Sequence, residues 1–364
     1  MRRVILDFAN TKVEFADREL AIKQVEEWAD KGTYPVQVIY GPEGCGKTAW
    51  LLQSVELLKE LGFEVIYVNP INKFTIAEFG IEGLRNRFLK LVEEAISQNV
   101  LARIAWIAYD TAYELVKVTR GRVAIIVDDA FQVIGVKESA MYVKALLNLI
   151  EYPPEHYERI ITIAATSEGS SRFEVGKHRW ANTLAMWNLG KEGFKQLYEQ
   201  VPGSKPSLDE AWKLTGGNPG ILEELYRANW DVDKVIDRLI EGKRLMAFIT
   251  SLNPSERELI MRALDDPDIL MSGKGIPLLN RLIELNLALD IPSRKPYLWV
   301  DEPPPERDLE LGIGRYVAWQ SPLHREAVKR ALEAPSSRLM AMVTAPIDCE
   351  LTWDFKHHRR GGKV

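Results

Sequence analysis

Gly41-Pro42-Glu43-Gly44-Cys45-Gly46-Lys47-Thr48 is the stretch that decides how this chain is read. Its Gly-x-x-x-x-Gly-Lys-Thr spacing follows an apolar, β-branched run at 36–40 and opens an amphipathic stretch at 48–61. A strand, a glycine loop and a helix in this order bind phosphate for a physical reason. Glycines let the backbone curl so that its N–H groups face an anion, and the helix N-terminus adds partial positive charge. Lys47 is placed to reach the β- and γ-phosphates of a nucleotide, and the Thr48 hydroxyl to hold Mg²⁺. The candidate nucleotide contacts are therefore Gly41, Pro42, Glu43, Gly44, Cys45, Gly46, Lys47, Thr48 and Ala49. Cys45 occupies a variable position where the backbone does the binding, so it reads as a small filler and not as a redox switch.

Downstream, Val123-Ala124-Ile125-Ile126-Val127-Asp128-Asp129 is an apolar strand that delivers a carboxylate at its end. That pattern completes a magnesium site, with Thr48 and Asp128 as the metal candidates. Asp129 stands where many such enzymes place a glutamate to polarise the attacking water. Aspartate is one methylene shorter, which leaves slow turnover or a different water-positioning residue as alternatives. The run at 160–165 leads into Thr166-Ser167-Glu168-Gly169. In this class of sheet that strand lies between the first and third, so Ser167 or Thr166 can orient water or phosphate. A simple polar turn is the plainer reading. Arg172 and Arg179 follow on a segment, 170–180, expected to be exposed; either is a candidate arginine finger, in cis or on a neighbouring subunit. Lys47, Asp128, Asp129, Ser167 and Arg179 form the catalytic set.

The composition of the 364-residue chain, 46% hydrophobic and 27% charged, is that of a globular protein of two or three domains. A net charge of −5 removes any global attraction to nucleic acid, so such contact needs a local patch. Cys45 and Cys349 are the only cysteines, which excludes a disulfide framework and a four-cysteine zinc site. No run approaches the roughly 18 to 20 apolar residues of a membrane span, and residues 1–7 lack the apolar stretch of a signal peptide. The expectation is a soluble, cytoplasmic protein.

Apolar runs at 36–40, 65–69, 123–127, 160–165 and 183–187 alternate with amphipathic stretches, including 81–97 and 100–118. This is the pattern of a parallel sheet flanked by helices. After about residue 189 the pattern becomes helical, at 191–200, 207–214, 220–228 and 232–240. A third region follows, with helices expected at 254–264, 276–289 and 322–332. Strand-like runs at 297–300 and 316–320 are expected to pair as a hairpin, with Asp301-Glu302-Pro303-Pro304-Pro305 as its tip. Residues 356–363 form a basic tail.

Four further features carry a family resemblance. Glu14-Phe15-Ala16-Asp17-Arg18-Glu19-Leu20 matches a Phe-x-x-Arg-Glu motif, and Lys177-His178-Arg179-Trp180 follows the fourth strand. Leu189-Gly190-Lys191-Glu192-Gly193-Phe194 opens the helical stretch, and Thr215-Gly216-Gly217-Asn218-Pro219-Gly220-Ile221-Leu222 matches Thr-Gly-Gly-x-Pro-x-x-Leu. From about 13 to 322 the chain resembles the archaeal ATPase family, a branch of the AAA+/STAND nucleotide switches. The resemblance implies an α/β P-loop NTPase with a parallel five-stranded sheet of order 5-1-4-3-2, a helical lid and a winged-helix-like C-terminal domain. It implies divisions at 1–189, 190–242, 243–334 and a 335–364 extension. It further implies that Phe15 and Arg18 lie near the adenine and that Pro219 packs on or near the base. ATP or ADP and Mg²⁺ are the implied cofactors. Asp129 departs from the family's usual Asp-Glu pair.

A DNA-reading helix at 276–289 would present Asn280, Arg281 and Asn286 among leucines, a thin set for base readout. Acidic residues at 301–310 oppose phosphate contact. Packing on the ATPase core or a protein-partner surface is the expectation here, with nucleic-acid contact and self-association as alternatives. His357 and His358 belong to the basic tail and not to a metal site. The whole reads as an ATP-binding and ATP-hydrolysing switch. The rivals are a nucleotide-gated DNA- or RNA-binding regulator with little turnover and a ring-forming motor or helicase.

Overall fold

The computed structural model describes residues 2–167, 169 and 171–334. The 335–364 extension, with Cys349, His357 and His358, lies outside the described residues, as does Glu168. The strands are β1 (Ile5–Phe8), β2 (Thr11–Glu14), β3 (Val36–Tyr40), β4 (Glu64–Asn69), β5 (Phe74–Glu78), β6 (Arg122–Asp128), β7 (Arg159–Thr166), β8 (Ala181–Met186), β9 (Ala288–Asp290), β10 (Trp299–Val300) and β11 (Val317–Trp319).

The central sheet runs β10-β8-β3-β7-β6-β4-β5. Its inner five strands, β8-β3-β7-β6-β4, are parallel and carry the expected order 5-1-4-3-2. Val123 to Val127 of β6 are fully buried, because helices cover both faces of the sheet. Helices Glu82–Ser97, Ala102–Thr119 and Val136–Glu151 pack on one face. Helices Glu19–Lys31 and Lys47–Glu60 pack on the other, around the fully buried Trp50. Each large apolar side chain removed from water here is worth about 1.5–3 kcal/mol.

The sheet has seven strands where five were expected. At one edge β5 returns antiparallel to β4, with Ile66 opposite Ala77. At the other, β10 adds in parallel to β8, pairing Trp299 with Ala185 and Val300 with Met186. This corrects the expected hairpin of 297–300 with 316–320. The partner of β11 is β9, at Leu289 opposite Ala318. The helix expected over 276–289 accordingly stops at Glu284. Asn286 takes a left-handed φ of 52°, a common way to end a helix, and the chain then enters β9.

The lid helices are Lys191–Gln200, Leu208–Thr215, Pro219–Arg227 and Val232–Gly242. A Ser207–Glu210 capping box and the N-caps Asn218 and Asp231 satisfy their first N–H groups. The last of these helices shares one apolar cluster, through Val235, Ile236 and Leu239, with Leu282, Ala327 and Val328 of the third region. Lid and third region are thus joined by a common core. Among the described residues no helix is long and apolar enough to cross a membrane.

Candidate functional site

β3 ends at Tyr40 and the phosphate loop begins against its neighbour. A Cβ on Gly41 would lie 2.1 Å from the Met186 carbonyl oxygen, so only glycine allows that approach. Gly46 has φ 100° and precedes helix Lys47–Glu60 without any side-chain cap. The first N–H groups of this helix are therefore available to an anion. Lys47 is buried and donates from Nζ to the carbonyl oxygens of Gly41 and Pro42, at 3.1 and 2.9 Å.

Asp128, at the end of β6, is the centre of a small polar cluster. Its Oδ2 accepts from Thr48 Oγ1 at 2.8 Å, from the Tyr67 hydroxyl at 2.9 Å and from Asn69 Nδ2 at 3.0 Å. Among the described residues its Oδ1, which is buried, has no hydrogen-bond partner. Burial, followed by the charge of Asp129, pushes the Asp128 carboxyl up to about 6. A buried carboxylate oxygen without a donor beside a threonine hydroxyl suits a hard, oxygen-preferring cation such as Mg²⁺. Among the described residues no group of three or more His, Cys, Asp or Glu side chains is arranged to hold a metal. A cation here would draw only part of its coordination from protein, as Mg²⁺ does when it also binds phosphate.

Tyr67 and Asn69 were missing from the sequence reading. The signal was present: they end β4, and the 5-1-4-3-2 order sets that strand beside the one carrying Asp128.

Asp129 adopts a left-handed φ of 49°, with its N–H donating to Ala165 O at 2.9 Å. Its Oδ1 accepts from the Ser167 N–H at 3.0 Å. Asp129, Ser167, Lys47 and Thr48 line one cleft of about 920 Å³, and Phe15, Arg18 and Pro219 line it too.

Arg18 is engaged elsewhere as well. Its guanidinium donates to Cys45 O at 2.7 Å and Trp187 O at 2.8 Å, and pairs with Asp301 at 2.9 Å. Glu19, its chain neighbour, pairs with Arg3 instead. Arg18 therefore braces the phosphate loop from behind.

The two arginine-finger candidates are not brought to the cleft. Arg179 is exposed and precedes Ala181, which pairs with Val36 at the start of β3. It consequently sits at the opposite end of the strands from Gly41, on the order of 15 Å away at the rise of a strand. Arg172 lies on helix Ser171–Gly176, buried where exposure was expected. It pairs with Asp290 and stacks 4.6 Å from the Tyr40 ring centroid.

The Thr-Gly-Gly-Asn-Pro-Gly element of the lid docks on the phosphate loop. Gly216 and Gly217 take φ 60° and 79° to end one helix, and Pro219 begins the next. Gly220 N–H donates to Gly44 O at 3.0 Å, and Asn218 Nδ2 donates to Glu43 O at 2.9 Å. From the third region, Gln320 Oε1 accepts the Glu43 N–H at 2.9 Å, and Lys243 pairs with the Glu43 carboxylate. The buried His324 lies nearby, its Nδ1 2.8 Å from Ser321 Oγ. Burial, with the Lys243 charge, pushes its imidazole down to about 3.

Residues 15–225, more than half of the chain, match the family described as an ATPase domain predominantly from Archaea. No curated protein matches. Solved structures with similarity include Cdc6p from Pyrobaculum aerophilum, at 13% identity over 91% of this chain and 99% of that one, TM-score 0.37. The ORC2 protein of Aeropyrum pernix, solved as ADPNP-ADP complexes, is 15% identical over 86% and 94%, TM-score 0.36. AMPPCP-bound DnaA from Aquifex aeolicus is 16% identical over 70% and 75%, TM-score 0.35.

Proposed function

We propose that this chain, which belongs to the archaeal ATPase family, binds ATP with Mg²⁺, hydrolyses it and reports the bound nucleotide through its lid. The observation that carries this reading is the Thr48–Asp128 contact at 2.8 Å, with Asp128 Oδ1 bare and the phosphate loop directly beside it. Thr48 and Asp128 would hold the magnesium ion, which supplies charge neutralisation at the phosphates. Tyr67 and Asn69 hold Asp128 in place. Lys47 exchanges the loop carbonyls it now contacts for phosphate oxygens and neutralises developing charge. The Ser167 N–H orients Asp129, whose carboxylate positions the attacking water.

The divisions at 189 and 242 mark core, lid and third region, and the last acts as a reporter. Its helix–helix–two-strand–helix order supports a winged-helix-like reading. Of the three DNA-reading candidates, Arg281 bonds Ser251 and Glu256, Asn286 ends its helix with a left-handed backbone, and Asn280 is exposed. Gln320 and Lys243 touch Glu43, so the phosphate loop and the third region move as partners. In the test, ATP-dependent phosphate release is measured for the full chain and for Lys47→Ala. Release that requires Mg²⁺ and falls at least about a hundredfold in the variant supports the reading. Equal release by both proteins, or none by either, overturns the hydrolytic part.

A further inference from the structure

Arg172 is placed for a role other than that of an arginine finger. Its guanidinium stacks 4.6 Å from the ring centroids of both Tyr40 and Phe173, and it pairs with Asp290. Tyr40 is the last residue of β3, directly before Gly41, so the ring against Arg172 sits where the phosphate loop begins. Asp290 is the last residue of β9 in the third region. One buried side chain therefore ties the start of the phosphate loop to the third region, apart from the Gln320 and Lys243 contacts to Glu43.

The surroundings of Arg172 form a seam between core and third region. A Cβ on Gly169 would lie 2.6 Å from the Ile283 carbonyl oxygen, so the chain after β7 lies directly on helix Ile276–Glu284. Leu289 and Ile291, on either side of Asp290, share an apolar cluster with Ala185 and Trp187 of the core, and Tyr40 packs against it. The polar part of the seam is less complete. A cavity of about 10 Å³ is lined by Tyr40, Gly41, Ser167, Arg172, Asn286 and Gln320, among others. Among the described residues, Arg172 Nε and Asn286 Oδ1 are buried without a hydrogen-bond partner. Such a donor and acceptor gain hydrogen bonds to water when the seam parts, which lowers the cost of parting it.

We propose that Arg172 is a positioning residue for the phosphate loop. Its planar face fixes Tyr40, and it does so only while Asp290 holds the guanidinium from the other side. Phosphate affinity then depends on whether the third region is docked, and by linkage a bound nucleotide strengthens the docking. This inference rests on the nucleotide reading above and names a control of that site that does not pass through the lid.

The test uses the full chain, with ATP and inorganic tripolyphosphate as probes in titration calorimetry. Tyr40→Ala, Arg172→Ala and Asp290→Asn are each expected to weaken both probes about five- to tenfold. Tyr40→Phe, which keeps the aromatic face, should bind both as the wild-type protein does. Arg172→Ala combined with Asp290→Asn should bind no more weakly than Arg172→Ala alone, because the two residues act through one contact. Additive losses, or wild-type affinity in Asp290→Asn, overturn the inference. Loss of ATP with tripolyphosphate unchanged also overturns it, since the effect would then lie outside the phosphate loop. If the variants do not fold, hydrogen exchange of the wild-type protein decides. Amides at 287–291 should slow about fivefold or more when ATP is bound, and unchanged exchange there overturns the inference. Wild-type protein that binds neither probe overturns the nucleotide reading itself.

Discussion

Arg18 and Asp301, 283 positions apart in the chain, form a buried ion pair at 2.9 Å. The same guanidinium holds the Cys45 carbonyl of the phosphate loop and the Trp187 carbonyl just beyond β8. One side chain thus joins the N-terminal motif, the phosphate loop, the sheet and the third region. Removing one member of such a pair leaves a buried charge without compensation. Arg18→Ala is expected to lower stability by about 3–5 kcal/mol in urea denaturation and to weaken ATP binding. Arg18→Lys should recover only part, since an ammonium cannot span three acceptors as the planar guanidinium does. Wild-type stability in Arg18→Ala would contradict the brace.

Gly44 and Gly220 bring lid and phosphate loop into backbone contact. A Cβ on Gly220 would meet Gly44 Cα at 2.8 Å, and neither backbone can yield without moving the lid. Gly220→Ala should cost about 1–3 kcal/mol, either in stability or in lid closure. ATP affinity, followed with a fluorescent analogue, should drop about tenfold. Gly83 is the control: it lies in helix Glu82–Ser97 with nothing within 4 Å of an added Cβ. Gly83→Ala should be neutral or stabilising by up to about 1 kcal/mol.

Asp128, proposed above as a magnesium ligand, is buried at a cost in stability. Its folded carboxyl is raised to about 6 from an ordinary 3.8, chiefly by burial. A raised acid destabilises the fold where both states are ionised, above pH 6, and has no effect below 3.8, where both are protonated. Without Mg²⁺, Asp128→Asn should therefore gain about 1–3 kcal/mol at pH 7.5, a gain that disappears as the pH falls towards 4. Phosphate release should be lost in the same variant. Thermal unfolding across that pH range, with no gain at pH 7.5, would refute the assignment.

His324 has the opposite sign. Its imidazole is pushed down to about 3, mainly by burial. Above pH 6.5 both folded and unfolded forms are neutral and the full stability is present. As the pH falls, the unfolded chain takes up a proton that the folded chain refuses, and stability is lost down to about pH 3. Between pH 6.5 and 5 the loss should reach about 2 kcal/mol, and His324→Asn should flatten it. Denaturant titrations of both proteins at pH 7.5, 6 and 5 test this.

Much of the core could be read locally. Strands β3, β4, β6 and β7 are buried on both faces, so their residues form continuous β-branched runs that stand out from the helices between them. The edges could not be read in this way. β5 is half-exposed and mixes polar with apolar residues, and β1 and β2 have four residues each. β10 has two residues, and its identity as a sheet strand depends on a partner more than a hundred positions earlier. The Ile276–Glu284 helix was overrun because Leu287, Ala288 and Leu289 continue its apolar content. Asn286 was the local stop signal.

By itself the sequence determined the strand–glycine loop–helix pattern, the carboxylate strand and the Gly-Gly-Asn-Pro turn, whereas the 5-1-4-3-2 order was only what the family resemblance implied. The first three rest on contiguous residues whose backbone needs or burial period leave a local trace. Only the tertiary structure decided what surrounds that loop. It showed Tyr67 and Asn69 on Asp128, Arg18 and Asp301 behind Cys45, Gln320 on Glu43, and Arg179 at the far end of the strands. These are contacts between segments whose separation in the chain carries no periodic signal. They are set by how burial of the shared cores brings three regions together.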